Sequence, residues 1–329
     1  MKRRDFIERT ATVSALTAAS IAFPYRLFAQ PRSEVVVITG SGSGFGKQMA
    51  LTFARSVYRV LATMRDIVGR KQAAAEELRQ TARREGLLLF VEQLDVTNDN
   101  ECRDVISRIW STTGRIDIFV NNAGVLVYTP TEIAPAALWQ YQMNTNLHGP
   151  MNLVGFVQPL MRQSNKGLFI QISSRVGRAI IPGLGLYCTS KMAFESASEA
   201  LYYEATPQNI DVAIIQLSAY ASDINRNAGR IYNQITRPLL SQLRPTSAQY
   251  YEDFLNKLER DFSGNPQRNP QEVADLALNI ARTPSQNRFL RYTVGDESEL
   301  DAVDEINRFL SDKREAVLSD SGYRELYRK

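Results

Sequence analysis

Tyr187 and Lys191 stand four residues apart in Tyr187-Cys188-Thr189-Ser190-Lys191. On a helix that spacing puts both side chains on one face. Thirteen residues before the tyrosine, Ile172-Ser173-Ser174 ends an apolar run with hydroxyl groups. A phenol titrates near pH 10 and is a poor acid or base at neutrality. A neighbouring ammonium favours the phenolate and would draw that value down. Together these groups suit proton exchange with a carbonyl or alcohol oxygen. Carbonyl reduction also needs a hydride on carbon, which no side chain supplies, so a cofactor is required. Taken alone, Tyr-x-x-x-Lys is common in helices and usually means a solvated face.

A cofactor loop is present. Thr39-Gly40-Ser41-Gly42-Ser43-Gly44-Phe45-Gly46 follows the apolar, β-branched run 34–39 and opens a helical pattern over 45–57. Glycines let the backbone turn tightly and approach a pyrophosphate. The helix N-terminus then presents free N–H groups and a favourable dipole. The glycines fall at 40, 44 and 46, which differs from the commoner G-x-G-x-x-G.

The rest of the chain supplies elements that could position these residues. Strands are expected at 34–39, 59–63, 87–94, 116–120, 168–173, 210–217 and 289–294. Helices are expected over 45–57, 71–85, 98–112 (with Trp110 on its apolar side) and, as one long helix, 136–163. This alternation implies right-handed βαβ units. The expected fold is a single doubly wound α/β Rossmann domain over 31–329, with a seven-stranded parallel sheet flanked by helices. Residues 218–268 break the alternation with a helical, aromatic insertion carrying Tyr220, Tyr232, Tyr250, Tyr251, Phe254 and Phe262. Ligands bind beyond the carboxyl ends of such strands, so this insertion reads as a substrate lid suited to an apolar or cyclic substrate. Residues 296–329 read as a C-terminal helical extension.

In order and spacing, these motifs resemble the short-chain dehydrogenase/reductase family over most of residues 33–295. The resemblance implies a nucleotide site at Gly40, Ser41, Ser43, Gly44, Phe45 and Gly46. Asp95 and Val96, in Leu94-Asp95-Val96-Thr97, match the adenine contact. Asn122, Ala123 and Gly124 match the element that braces the sheet and the cofactor. Asn146, Ser174, Tyr187 and Lys191 match the catalytic tetrad. Lys191 is then expected to bind the nicotinamide ribose as well, and Asn146 to hold a water through which Lys191 exchanges protons. Family members that prefer NAD carry an acid at the end of strand two. Here Arg65 stands there, placed to bind a 2′-phosphate, with Asp66 following. The expected cofactor is therefore NADP(H), with NAD(H) second. After strand six the family's usual Pro-Gly is replaced by Leu217-Ser218-Ala219-Tyr220, and Ser222 keeps a hydroxyl for the carboxamide. The resemblance also implies a dimer or tetramer built on the helix that carries Tyr187. A nucleotide-binding sensor without turnover remains the alternative, and a complete tetrad argues against it.

Composition bounds the remaining classes. The chain has 329 residues and a net charge of +4. Lys2, Arg3, Arg4, Arg9 and Arg26 concentrate that charge at the N-terminus, and no basic stripe for nucleic acid is visible further on. Arg3-Arg4-Asp5-Phe6-Ile7, the uncharged run Thr10 to Tyr25 and Leu27-Phe28-Ala29 read as a twin-arginine signal peptide over residues 1–30. The run is too short for a comfortable membrane span, and a periplasmic location is expected. Twin-arginine signals typically move folded proteins, so the nucleotide would be loaded before export and regenerated in place. An unprocessed segment would instead leave a cytoplasmic or membrane-associated enzyme. One histidine, His148, and two cysteines, Cys102 and Cys188, leave no basis for a Cys/His metal site or a Ser-His-Asp hydrolase. His148 reads as structural and Cys188 as a small packed residue. A disulfide is allowed but not required.

Overall fold

The computed structural model describes residues 33–262 and 268–326. The segment 1–30 read as a signal peptide lies outside the described residues.

Seven strands form one parallel sheet in the order β3-β2-β1-β4-β5-β6-β7. They are β1 Val35–Ile38, β2 Arg59–Met64, β3 Leu89–Gln93, β4 Ile118–Asn121, β5 Gly167–Ile172, β6 Ile210–Leu217 and β7 Arg291–Val294. β1, β4, β5 and β6 are buried throughout, as expected of parallel strands covered on both faces. Alternation divides their side chains between two cores. Val36, Ile38, Val60, Val120 and Ile170 face α1 (Gly44–Arg55), α2 (Gln72–Glu85) and α10 (Gln271–Arg282), meeting Met49, Phe53, Leu78 and Val273. Val35, Val37, Phe119, Phe169 and Val212 face α3 (Asp99–Thr113), α5 (Gly149–Gln163) and α6 (Gly185–Ala205), meeting Ile106, Leu153, Met161 and Leu201. Trp110 packs against this second core, as its place in the helical pattern suggests.

Local chemistry sets the helix ends. The Asn98 side chain accepts from Glu101 N at the start of α3, with Asp99 and Glu101 in its first turn. Gly114, at φ 68°, ends α3, and Gly86, at φ 66°, ends α2.

The expected single helix over 136–163 is three pieces. α4 (Ala136–Met143) runs through a π turn at Asn144–His148 into α5. Gly149 N donates to Asn144 O, the wider spacing that defines the turn. Pro150 follows and has no N–H to offer a preceding carbonyl, so regular α-helical bonding cannot continue through Asn146. Periodicity conceals such a turn because the chain continues in the same direction. The insertion after β6 is helical as expected, with α7 (Asp223–Ile231), a π turn at Tyr232–Thr236, α8 (Arg237–Leu240) and α9 (Pro245–Phe262). The C-terminal extension is α11, Glu297–Asp320. Among the described residues, no helix is long and apolar enough to cross a membrane. Cys102 and Cys188 are both free and buried, and burial pushes the Cys102 thiol up to about 12.

Asp117 starts the sheet. Its buried carboxylate accepts from Val35 N at 2.8 Å and from Arg115 Nε at 2.7 Å. Asp117→Ala leaves a buried N–H and a half-buried guanidinium without their acceptor. The expected loss is about 2–3 kcal/mol in urea denaturation, and a change below about 0.5 kcal/mol would contradict this role.

Candidate active site

The strand order reverses between β1 and β4, and a cleft opens there at the carboxyl ends of the strands. Thr39 joins the two sides. Its Oγ1 accepts from Asn122 N and Ala123 N, each at 3.0 Å, and its carbonyl accepts from Asn122 Nδ2 at 2.8 Å. The glycines let the loop close on this brace. Gly40 has φ 71°, and a Cβ there would lie 2.8 Å from Ala123 Cα. A Cβ on Gly46 would collide with the Gly40 carbonyl and with Asn122 Nδ2. Gly44, at φ 53°, has open space on its outer side. The result is a cradle of backbone at a helix N-terminus, which fits a dinucleotide pyrophosphate.

Gly40, Ser43, Gly44, Phe45, Arg65, Asp95, Val96, Asn122, Ala123, Gly124 and Ser222 all line this cleft. Four expected cofactor residues, Ser41, Gly46, Tyr187 and Lys191, do not. Ser41 turns inward, where its Oγ donates to Ile38 O at 3.0 Å and its N–H to Thr63 O at 2.9 Å. It therefore fixes the loop to β2. Gly46 is buried beneath the loop and acts by leaving room. Asp95 is held by Thr97, whose N–H and hydroxyl donate to Oδ1 at 2.9 and 2.7 Å. The altered loop after β6 finds other support. Ser218 Oγ accepts from Asp296 N at 2.9 Å, Ala219 N donates to Glu299 at 2.9 Å, and Tyr220 packs edge-on against Phe45 with ring centroids 5.2 Å apart.

The sequence reading missed Lys71, which lines the cleft beside Arg65 and Gly42. The stem of Lys71 lies over Gly42, where a Cβ would meet Lys71 Cδ at 3.3 Å. A tight turn returns Lys71 to this place. Asp66 sits at φ 58°, its carbonyl accepts from Lys71 N at 3.0 Å, and its carboxylate accepts from the N–H and Nε of Arg70, both at 3.0 Å. Arg70 thus holds the Asp66 carboxyl below its usual range. Spacing alone could not show that this acid is already paired. Asp223, Ile224 and Asn227 of α7 close the far side of the cleft.

The tetrad residues come together around α6, outside the lining of this cleft. Lys191 is 6% exposed, and its ammonium donates to Ile172 O at 2.8 Å. The ammonium lies 5.9 Å from the Tyr187 ring centroid. Burial brings Lys191 down to about 8, against an opposing effect of the Glu195 carboxylate. The Ser174 hydroxyl lies beside the Tyr187 phenol. Burial pushes the Tyr187 phenol up, and the Ser174 hydroxyl offsets only part of that. The expected lowering of Tyr187 by Lys191 is not found in the chain alone: burial raises the phenol, and the ammonium faces the ring and the Ile172 carbonyl.

Asn146 is fully engaged. Its Oδ1 accepts from Val125 N at 2.9 Å, and its Nδ2 donates to Val125 O and Ser190 Oγ at 2.9 and 3.0 Å. It ties the segment after β4 to the helix of Tyr187. Packed with Tyr187 are Leu126, Tyr128, Val176, Tyr232, Leu255 and Leu258, an apolar cluster of which the insertion supplies the last three. Cys188 is packed in the same cluster.

Comparison with known proteins agrees with this geometry. Residues 34–232 match the short chain dehydrogenase family. The chain is 31% identical over 269 residues to retinol dehydrogenase 8 of Bos taurus, covering 78% of this chain and 82% of that one. It is 32% identical over 226 residues to 3-ketodihydrosphingosine reductase of Bacteroides thetaiotaomicron, covering 69% and 75%. Among solved structures, a short-chain dehydrogenase from Streptomyces avermitilis superposes with a TM-score of 0.67 at 22% identity, covering 88% and 98%. Another from Burkholderia phymatum, in complex with NAD, gives 0.68 at 21% identity, covering 86% and 95%. The chain belongs to the short-chain dehydrogenase/reductase family and is an oxidoreductase of that family.

Proposed function

We propose that this enzyme uses NADP(H) to interconvert a secondary alcohol and a ketone, with Tyr187 as acid/base. The observation that carries this reading is the placement of the Ser174 hydroxyl and the buried Lys191 ammonium beside Tyr187, in a chain whose glycine loop lines a cleft at the strand ends. Ser174 orients the substrate oxygen. Tyr187 gives it a proton in reduction and takes one in oxidation. Lys191 holds the ribose and favours the phenolate, while Asn146 holds a water through which Lys191 exchanges protons. Bound nicotinamide supplies or accepts the hydride. Gly40, Ser43, Gly44, Phe45 and the Asn122–Gly124 run would hold the dinucleotide, Asp95 and Val96 the adenine, and Ser222 the carboxamide.

The preference for NADP(H) rests on charge. Arg65 and Lys71 flank the cleft at the end of β2, and neither is in an ion pair within the described residues. The nearby acid, Asp66, is occupied by Arg70. A ribose 2′-phosphate would meet two cations, and a 2′-hydroxyl would find no free carboxylate there. The apolar cluster around Tyr187 favours an apolar substrate. The names of two relatives, retinol dehydrogenase and 3-ketodihydrosphingosine reductase, denote substrates with long hydrocarbon parts. The helical insertion acts as the lid, and assembly is through the helix of Tyr187. Residues 1–30 direct the folded enzyme to the periplasm with its nucleotide bound.

Tyr187→Phe is expected to reduce kcat by about 10²–10⁴-fold with nucleotide affinity retained, measured by absorbance of the reduced cofactor and by fluorescence titration. Substantial turnover in that variant would sink the acid/base assignment. Arg65→Ala should raise the Kd for NADP⁺ about tenfold and leave NAD⁺ unaffected; equal native affinity for both nucleotides would refute the preference. Intact mass spectrometry of periplasmic protein should find a chain beginning near residue 31, and an intact Met1 in a cytoplasmic fraction would rule out export.

A further inference from the structure

Glu195 lies one turn beyond Lys191 on α6 and is completely buried, at 0% exposure. Its carboxylate accepts from Ser173 Oγ at 2.6 Å and from Gln216 Nε2 at 2.9 and 3.1 Å. It is ion-paired with Arg178 at 3.2 Å and Arg291 at 3.6 Å. Gly177 makes room for it, since a Cβ there would overlap the Glu195 carboxylate. One turn further on, Glu199 pairs with Arg291 at 2.5 Å and Arg314 at 3.4 Å, and accepts from Tyr203 OH at 2.7 Å. Gln216 also accepts from Asn307 Nδ2 at 2.6 Å, which brings α11 into the same network.

Burying such a cluster is expensive, and well-packed apolar side chains would often serve stability as well or better. The placement of this one is informative. Ser173 is the neighbour of Ser174, and Glu195 shares a helix face with Lys191. The carboxylate therefore joins the two segments whose relative position sets the distance from Ser174 to Tyr187. We propose that Glu195 is a positioning residue for hydride transfer, holding the Tyr187–Lys191 turns of α6 against the Ser173–Ser174 end of β5. This rests on the reading that Ser174, Tyr187 and Lys191 carry the reaction. Electrostatics point the same way. Glu195 supports the Lys191 ammonium against burial, while Arg178 and Arg291 face the carboxylate from the loop after β5 and from β7. Glu199, Arg314 and Tyr203 lie behind them.

The test is the pH profile of kcat/KM for native enzyme and Glu195→Gln. Glutamine keeps an acceptor for Ser173 and removes the charge. Lys191 then loses its proton at lower pH, and the alkaline limb should move down by about one pH unit. A purely structural glutamate would lower Tm and leave that limb in place, which would overturn the proposal. If Glu195→Gln does not fold, Ser173→Ala decides. It cuts only the tie to β5 and should lower kcat about fivefold at unchanged nucleotide Kd, with Ser173→Thr restoring the rate. Unchanged kcat in Ser173→Ala would then overturn the proposal. Full turnover by Tyr187→Phe would show instead that the underlying catalytic reading has failed.

Discussion

The site depends on the parallel pairing of β1 with β4 and on the bonds Thr39 makes across it. Order 3-2-1-4-5-6-7 leaves a gap between crossover connections at this pair alone. The chain leaving β1 must then turn at once under the chain leaving β4. Only a glycine backbone can come that close, which is why Gly40 and Gly46 face Ala123 and Asn122 with no room for a side chain. The same approach leaves the start of α1 open to a phosphate. A sheet-packing requirement and a ligand-binding feature are thus one arrangement.

A second constraint is burial. Tyr187 sits in an apolar cluster to which the insertion contributes, and Lys191 is buried beside it. Low dielectric raises the phenol and lowers the ammonium, so the chain alone holds both groups towards their neutral forms. Within such a cluster an added positive charge acts strongly on the phenol. Under the proposed function, Tyr187 would become a proton-transfer group when the positive charge of an oxidised nicotinamide lies beside it. Asn146, within the π turn, bonds to Ser190 of α6, and Glu195 of the same helix bonds to Ser173 at the end of β5.

Most of the fold was readable because parallel strands announce themselves as short β-branched runs between helical patterns. β2 and β6 fall within one residue of expectation. Glycine chemistry made the loop readable, and the Ser174, Tyr187 and Lys191 spacings made the inner site readable. What escaped depends on the path of the chain in three dimensions. The π turn at Asn144–His148 keeps the helical hydrophobic period, so 136–163 looked continuous. Ser41 belongs to a loop whose other hydroxyl, Ser43, faces the cleft, and only the turn geometry separates them. Lys71 reaches the cleft because Asp66 adopts a left-handed conformation and pairs with Arg70, which no residue spacing announces.

The most direct test of the central claim is the ionisation of Tyr187 itself. Ultraviolet difference titration of native enzyme against Tyr187→Phe, with and without NADP⁺, reads the tyrosinate of this one residue. The account predicts that Tyr187 titrates above the ordinary value near 10 in the free protein and below it once NADP⁺ is bound. An equally high titration in both states would contradict Tyr187 as the acid/base.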